Sequence, residues 1–156
     1  MKSASLKELK TELARVHPTR LLELCIHLTK YRKENKELLT YLLFDSFDEK
    51  EYIRQVNSDM DEMFWEINKA TSYLAKKGVR KILAFANKQI KFSASKQTEV
   101  EILIHFCKKL RKSGIPLHLN SSLGNIYWRQ VQKIRKSLST LHEDLQFDYE
   151  EEMKIL

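Results

Sequence analysis

Two Glu–His pairs have a spacing that places both side chains on one face of a helix. Glu23 and His27 stand four residues apart in one apolar stretch, and Glu101 and His105 repeat this spacing in another. Glutamate and histidine side chains on facing helices are the ligands of metal centres in helical bundles. One hypothesis is therefore a metal-dependent enzyme that uses these four residues.

The surroundings of the two pairs favour a simpler interpretation. A lysine follows each histidine by three residues, Lys30 after His27 and Lys108 after His105, and its charge would repel a cation. We therefore interpret both sets as solvated polar stripes stabilised by contacts between residues i and i+4. With 3 glycines the chain has no phosphate-binding loop, and no nucleophile stands beside a base. The sequence predicts no cofactor and does not require catalysis.

Apolar residues recur three and four apart along nearly the whole chain, which is the period of amphipathic helices. Only 3 Gly and 2 Pro occur in 156 residues, so long helices with few turns are expected. The fold class predicted is all-α, a single domain of about seven helices arranged as consecutive helical hairpins. A multi-helix bundle is the favoured architecture.

Local signals predict several helix boundaries. Ser5 and Glu8 form a capping box at the first helix, and Pro18 suits the first turn of the second. A long fourth helix is expected from Asp48 to a C-cap at Gly78, and the stretch Ser113–Asn125 is expected to be a loop. Residues 1–146 are predicted to form the domain, and residues 147–156 an acidic, frayed tail.

A weak repeat offers an alternative architecture. Glu23, Glu62 and Glu101 are 39 residues apart, and a lysine follows each by seven residues. This period is near that of HEAT repeats, so a HEAT-like α–α superhelix is the alternative to the bundle.

Composition predicts a soluble, cytoplasmic protein. No apolar run approaches the ~20 residues that span a bilayer, and the N-terminus lacks the apolar segment of a signal peptide. Cys25 and Cys107 lie in apolar helical stretches, so both are expected to be buried, reduced thiols.

The net charge of +7 is unevenly distributed. Residues 76–136 contain 15 Lys and Arg against two acids, Glu99 and Glu101, which gives this segment +13. A basic surface of this kind attracts nucleic acid or another polyanion. We predict that the binding residues are the following: Arg80, Lys88, Lys91, Lys108, Lys112, Arg129, Lys133, Lys136 and, by stacking, Trp128.

Three functional hypotheses follow from these patterns. The first is a non-catalytic interaction module that uses a helical groove or the basic face to bind a protein partner. It predicts an exposed apolar patch or groove of several hundred Å² on the folded surface. The second is a polyanion-binding protein that uses the basic segment 76–136. The third is the metal-dependent enzyme. The sequence places the interaction module first, because helical hairpins readily form binding surfaces.

Overall fold

The chain folds into α-helices connected by short segments. A computed structural model describes residues 2–156, which form eight α-helices and no strand. They are α1 (Leu6–Leu13), α2 (Pro18–Tyr31), α3 (Lys33–Thr40), α4 (Glu49–Trp65), α5 (Ser72–Ser93), α6 (Lys96–Lys112), α7 (Ser122–Leu138) and α8 (Glu143–Lys154). The all-α prediction is confirmed. Within residues 2–156, no helix combines the length and the apolar character needed to cross a bilayer.

The chain divides into two compact units, one ending at Phe44 and one running Asp45–Leu156. The division lies inside the region 1–146 that the sequence analysis treats as one domain. It falls within a π-helical turn, Tyr41–Asp45, that follows α3. In the first unit, α2 packs against α3, and none of the helices α1 to α3 contains a buried residue.

The second unit is built around α6. This helix packs against α4, α5 and α7, and nine of its residues are buried, among them Val100, Leu103 and Cys107, which are fully inaccessible. One helix surrounded by several others is the arrangement of a bundle, whereas in a superhelix each repeat contacts only its neighbours. The predicted bundle is confirmed.

The fourth and fifth helices are divided differently from the prediction. The long helix expected from Asp48 to Gly78 ends at Trp65, and α5 begins at Ser72. Asn68 and Thr71 cause the break, because their side chains accept hydrogen bonds from the backbone N–H groups of Ala70 (2.9 Å) and Leu74 (3.2 Å). Gly78 is therefore not a C-cap. It lies inside α5, where a Cβ atom would stand 3.1 Å from Cγ1 of Ile67.

Residues 147–156, for which the sequence predicts fraying, are helical as far as Lys154. Tyr149 is buried, and its hydroxyl donates a hydrogen bond to Oε1 of Glu101 at 2.5 Å. Arg111 on α6 donates hydrogen bonds to the backbone carbonyls of Ile155 and Leu156. These contacts with α6 hold α8 in place, and sequence periodicity does not reveal them.

The loop between α6 and α7 is shorter than expected and passes close to the start of α7. Ser121 caps this helix by accepting a hydrogen bond from the backbone N–H of Gly124 at 2.9 Å. A Cβ atom at Gly124 would lie 2.1 Å from the backbone carbonyl oxygen of His118. Only glycine permits this approach of the loop to the helix.

Replacing Gly124 by alanine is expected to lower the free energy of unfolding by about 3 kcal/mol or more, since the loop backbone must move away from α7. Urea denaturation followed by circular dichroism measures this change. The matched control is Gly114→Ala: Gly114 has φ +76°, but nothing lies within 4 Å of its added Cβ. That change should cost about 1 kcal/mol. Equal effects of the two substitutions would contradict the steric explanation.

Candidate functional site

Three of the four residues of the metal-site hypothesis have protein partners in the structure. Glu101 accepts hydrogen bonds from Tyr149 (2.5 Å) and from Nε2 of Gln97 (3.1 Å). Nε2 of His105 lies 2.6 Å from Oδ1 of Asp61. In the first unit, Nη1 of Arg20 lies 2.7 Å from Oε2 of Glu23, and His27 is exposed. Among residues 2–156, no group of three or more His, Cys, Asp or Glu side chains is placed to hold a metal ion.

The polar stripe of α6 is less exposed than the sequence suggests. Glu101, His105 and Lys108 are all half-buried, and each bonds to another helix. Lys108 forms an ion pair with Glu152 of α8 at 2.7 Å. The expected contacts between residues i and i+4 are thus replaced by contacts between helices, because both α4 and α8 pack beside this stripe.

Asp61 connects α4 to α6 through Lys109 and His105. Its Oδ2 atom lies 2.7 Å from Nζ of Lys109, and its Oδ1 atom contacts His105. Burial raises the pKa of Asp61, but the hydrogen bonds from Lys109 and His105 lower it by more, so the net pKa is below its usual value. The carboxylate therefore stays ionised and neutralises part of the basic segment.

Glu99 is the most deeply buried acid of the second unit. Its side chain is 6% exposed and contacts Nζ of Lys96 (2.8 Å), Nζ of Lys133 (2.9 Å) and Oγ of Ser137 (2.7 Å). Burial raises the pKa of Glu99, and the hydrogen bonds from Lys96, Ser137 and Lys133 lower it by more, to about 2. This carboxylate ties α7 to α6.

The structure separates the nine residues predicted to bind a polyanion. Lys108 and Lys133 are ion-paired with Glu152 and Glu99, as described above. Nζ of Lys88 lies 6.0 Å from the ring centre of Phe85. The other five cations are exposed and form no ion pair among residues 2–156: Arg80, Lys91, Lys112, Arg129 and Lys136.

Trp128, predicted to stack on bases, makes a contact within α7. Its ring packs edge-on against Tyr127 with the ring centres 5.2 Å apart, and 40% of the residue is exposed. The hydroxyl of Tyr127 donates a hydrogen bond to the backbone carbonyl of Leu156 at 2.5 Å, which places it in the core beside the end of the chain.

A cavity of about 440 Å³ borders the loop between α6 and α7. Its lining includes Lys69, Lys76 and His118 together with the apolar side chains of Ile115 and Leu123. Nζ of Lys69 donates a hydrogen bond to the backbone carbonyl of Ser113 at 2.6 Å, so this lysine already has a structural role. His118, the histidine that the sequence places in the loop, is exposed at this cavity.

The first unit exposes an unusual number of large apolar side chains. Leu6, Leu9 and Leu13 of α1 are 83%, 48% and 44% exposed. Five apolar residues of α2 are also exposed, and together with the three of α1 they define the N-terminal apolar surface: Leu21, Leu22, Ile26, Leu28 and Tyr31. The sequence predicts Leu21, Leu28 and Tyr31 on the inner face of α2, because helical spacing is the same whether or not another element covers the residues.

Comparison with protein-family models, with curated proteins and with solved structures finds no match for this chain.

Replacing Glu99 by glutamine should lower the free energy of unfolding at neutral pH by about 2 to 3 kcal/mol, judged from its pKa of about 2. A carboxylate whose pKa is lower in the folded than in the unfolded protein stabilises the fold at pH values above the pKa of the unfolded state. That contribution is lost as pH falls from about 4.5 towards 2. Urea denaturation at several pH values should show the variant and the wild type converging in acid. Glu151→Gln, which removes an exposed pair with Lys154, should cost less than about 0.5 kcal/mol.

The two thiols should differ in reactivity. Cys25 is exposed, contrary to the expectation that both cysteines are buried, and Cys107 is buried. Burial raises the pKa of the Cys107 thiol to about 12. A disulfide reagent should therefore modify one thiol per native chain and the second only after unfolding. Rapid modification of both thiols in the native protein would contradict the packing of α6.

Proposed function

We propose that this protein is an interaction module that binds a protein partner through the N-terminal apolar surface of α1 and α2. The observation that supports this proposal is the absence of any buried residue in α1, α2 and α3, although their apolar residues have helical spacing. Leaving such side chains in water has an unfavourable free energy, and a partner that covers them removes it.

The size of the surface suits a binding site. Its eight residues range from 39% to 83% exposed. If burial of one large side chain contributes about 1.5–3 kcal/mol at about 25 cal/mol per Å², a fully exposed side chain presents about 60–120 Å². These eight partly exposed side chains therefore present roughly 270–540 Å² of apolar area. Patches of this size on soluble proteins are often functional.

The charge around the surface indicates the chemistry of the partner. Residues 1–44 contain nine Lys and Arg and five Asp and Glu, a net charge of +4. A partner that presents an apolar helix face flanked by acidic residues matches both the apolar and the basic character of this unit. Both cysteines are unpaired, which fits the reducing cytoplasm as the location of this binding.

Cys25 provides a probe for the partner, because it lies on α2 among the apolar residues and is the exposed thiol. Labelling it with a maleimide photo-crosslinker and irradiating the full-length protein in cell extract should yield an adduct with an acidic protein. Leu22 and Ile26 are 63% and 44% exposed. Replacing both with serine should weaken binding of the identified partner about tenfold or more, measured by titration calorimetry.

The matched control replaces two exposed apolar residues of the second unit with serine, Leu119 (78% exposed) and Phe147 (75%). This variant should bind the partner as the wild type does. Equal weakening by both double variants, or an adduct whose affinity does not depend on Leu22 and Ile26, would contradict the proposal. An adduct formed only with a second copy would contradict the acidic partner, since a second copy has the same basic charge.

A further inference from the structure

The helices α5 and α7 contain cations and no acids. Six Lys and Arg occur in α5 and four in α7, and neither helix contains an Asp or a Glu. A solvated helix face commonly mixes both signs, as α4 does with Glu51 beside Arg54. Ten cations without acids on two helices form a concentrated positive field.

α5 and α7 both pack against α6, and two observations show that they flank it as neighbours and run in the same direction. Near their N-termini, Ala75 and Leu123 line the same cavity. Further along, Nζ of Lys133 lies 3.1 Å from Oδ1 of Asn87. The first contact lies near the N-termini of both helices, and the second lies further along both. A seam therefore runs between α5 and α7.

Helical register places five cations along this seam. On α5, Arg80 and Lys91 are seven residues before and four residues after Asn87, so they share its side of the helix. On α7, Arg129 and Lys136 are four residues before and three residues after Lys133, and share its side. We call this set the α5–α7 cationic groove: Arg80, Lys91, Arg129, Lys133 and Lys136.

One acid of a neighbouring helix reaches this groove. Glu99 of α6 forms an ion pair with Lys133 and is also paired with Lys96. The other four cations of the groove are exposed and have no ion-pair partner among residues 2–156. Their charge is therefore directed to solvent.

We infer that the α5–α7 cationic groove binds the phosphodiester backbone of single-stranded nucleic acid. At 1.5 Å per residue, Arg80 and Lys91 are about 16 Å apart along α5, a length that spans a few phosphates. The side chains of Lys133 and Asn87 bridge the two helices, so the seam between them is narrow and suits one strand. This inference is independent of the N-terminal apolar surface.

The composition of the groove also indicates how the strand is recognised. Trp128 is five residues before Lys133, which places it about 140° around α7 from that lysine, and its ring packs against Tyr127. Without an aromatic platform, the groove contacts phosphates and not base faces. Binding should therefore depend little on sequence and strongly on salt.

The test is fluorescence anisotropy of labelled single-stranded oligonucleotides with the full-length protein across a salt series. Four contacts should give a slope of log K against log salt of about −3, at roughly −0.7 per contact. The variant R129E/K136E should bind at least about tenfold more weakly, with its slope reduced to about −1.5.

The matched control is K112E/R135E, which changes the net charge equally at two exposed cations outside the groove. It should keep most of the wild-type affinity and the wild-type slope. Thermal unfolding would verify that both variants are folded. Equal losses in the two variants would overturn the inference, because net charge alone would then explain binding. No binding at low salt, or a duplex of the same sequence bound more tightly than the strand, would also overturn it.

Discussion

The need to bury α6 on all its sides organises the second unit of this protein. Apolar residues surround the helix, so α4, α5, α7 and α8 must cover it to remove them from water. Any polar group on such a helix must find a partner within the fold, because an unpaired charge in the interior has a large desolvation cost. Glu99 meets this condition with Lys96 of the same helix and with Lys133 and Ser137, and the last two contacts fix α7 to α6.

The need for an ionic partner near the buried helix α6 divides the cations of the basic segment into two groups. Two lysines of α6 form ion pairs with acids of other helices, Lys108 with Glu152 and Lys109 with Asp61. Arg80 and Lys91 of α5 and Arg129 and Lys136 of α7 are exposed and form no ion pair among the described residues. A segment with a charge of +13 therefore contains both structural and exposed charge, and only the exposed part can attract a polyanion.

The first unit has no central helix that its amphipathic helices cover. Its three helices are short, and units of about 40 residues rarely bury enough apolar surface to be stable alone. Helical spacing in α1 and α2 resembles that of the core helices, yet Leu22 and Tyr31 are 63% and 73% exposed. An exposed apolar surface on the first unit and a set of exposed cations on the second thus follow from one difference, the absence or presence of a covered central helix.

The sequence by itself determines the features that depend on neighbours in the chain. The all-α class, the Ser5–Glu8 capping box and Pro18 in the first turn of α2 are confirmed because their interactions span only a few residues. The break at Asn68 and Thr71 is also local. The polar side chains of these two residues are a signal for a helix end, but the apolar periodicity around them predicts one continuous helix. Tertiary structure alone decides which cations are neutralised, why α8 stays helical and why Cys25 is exposed. Those outcomes rest on contacts such as Lys108 with Glu152, 44 residues apart, which no local pattern encodes.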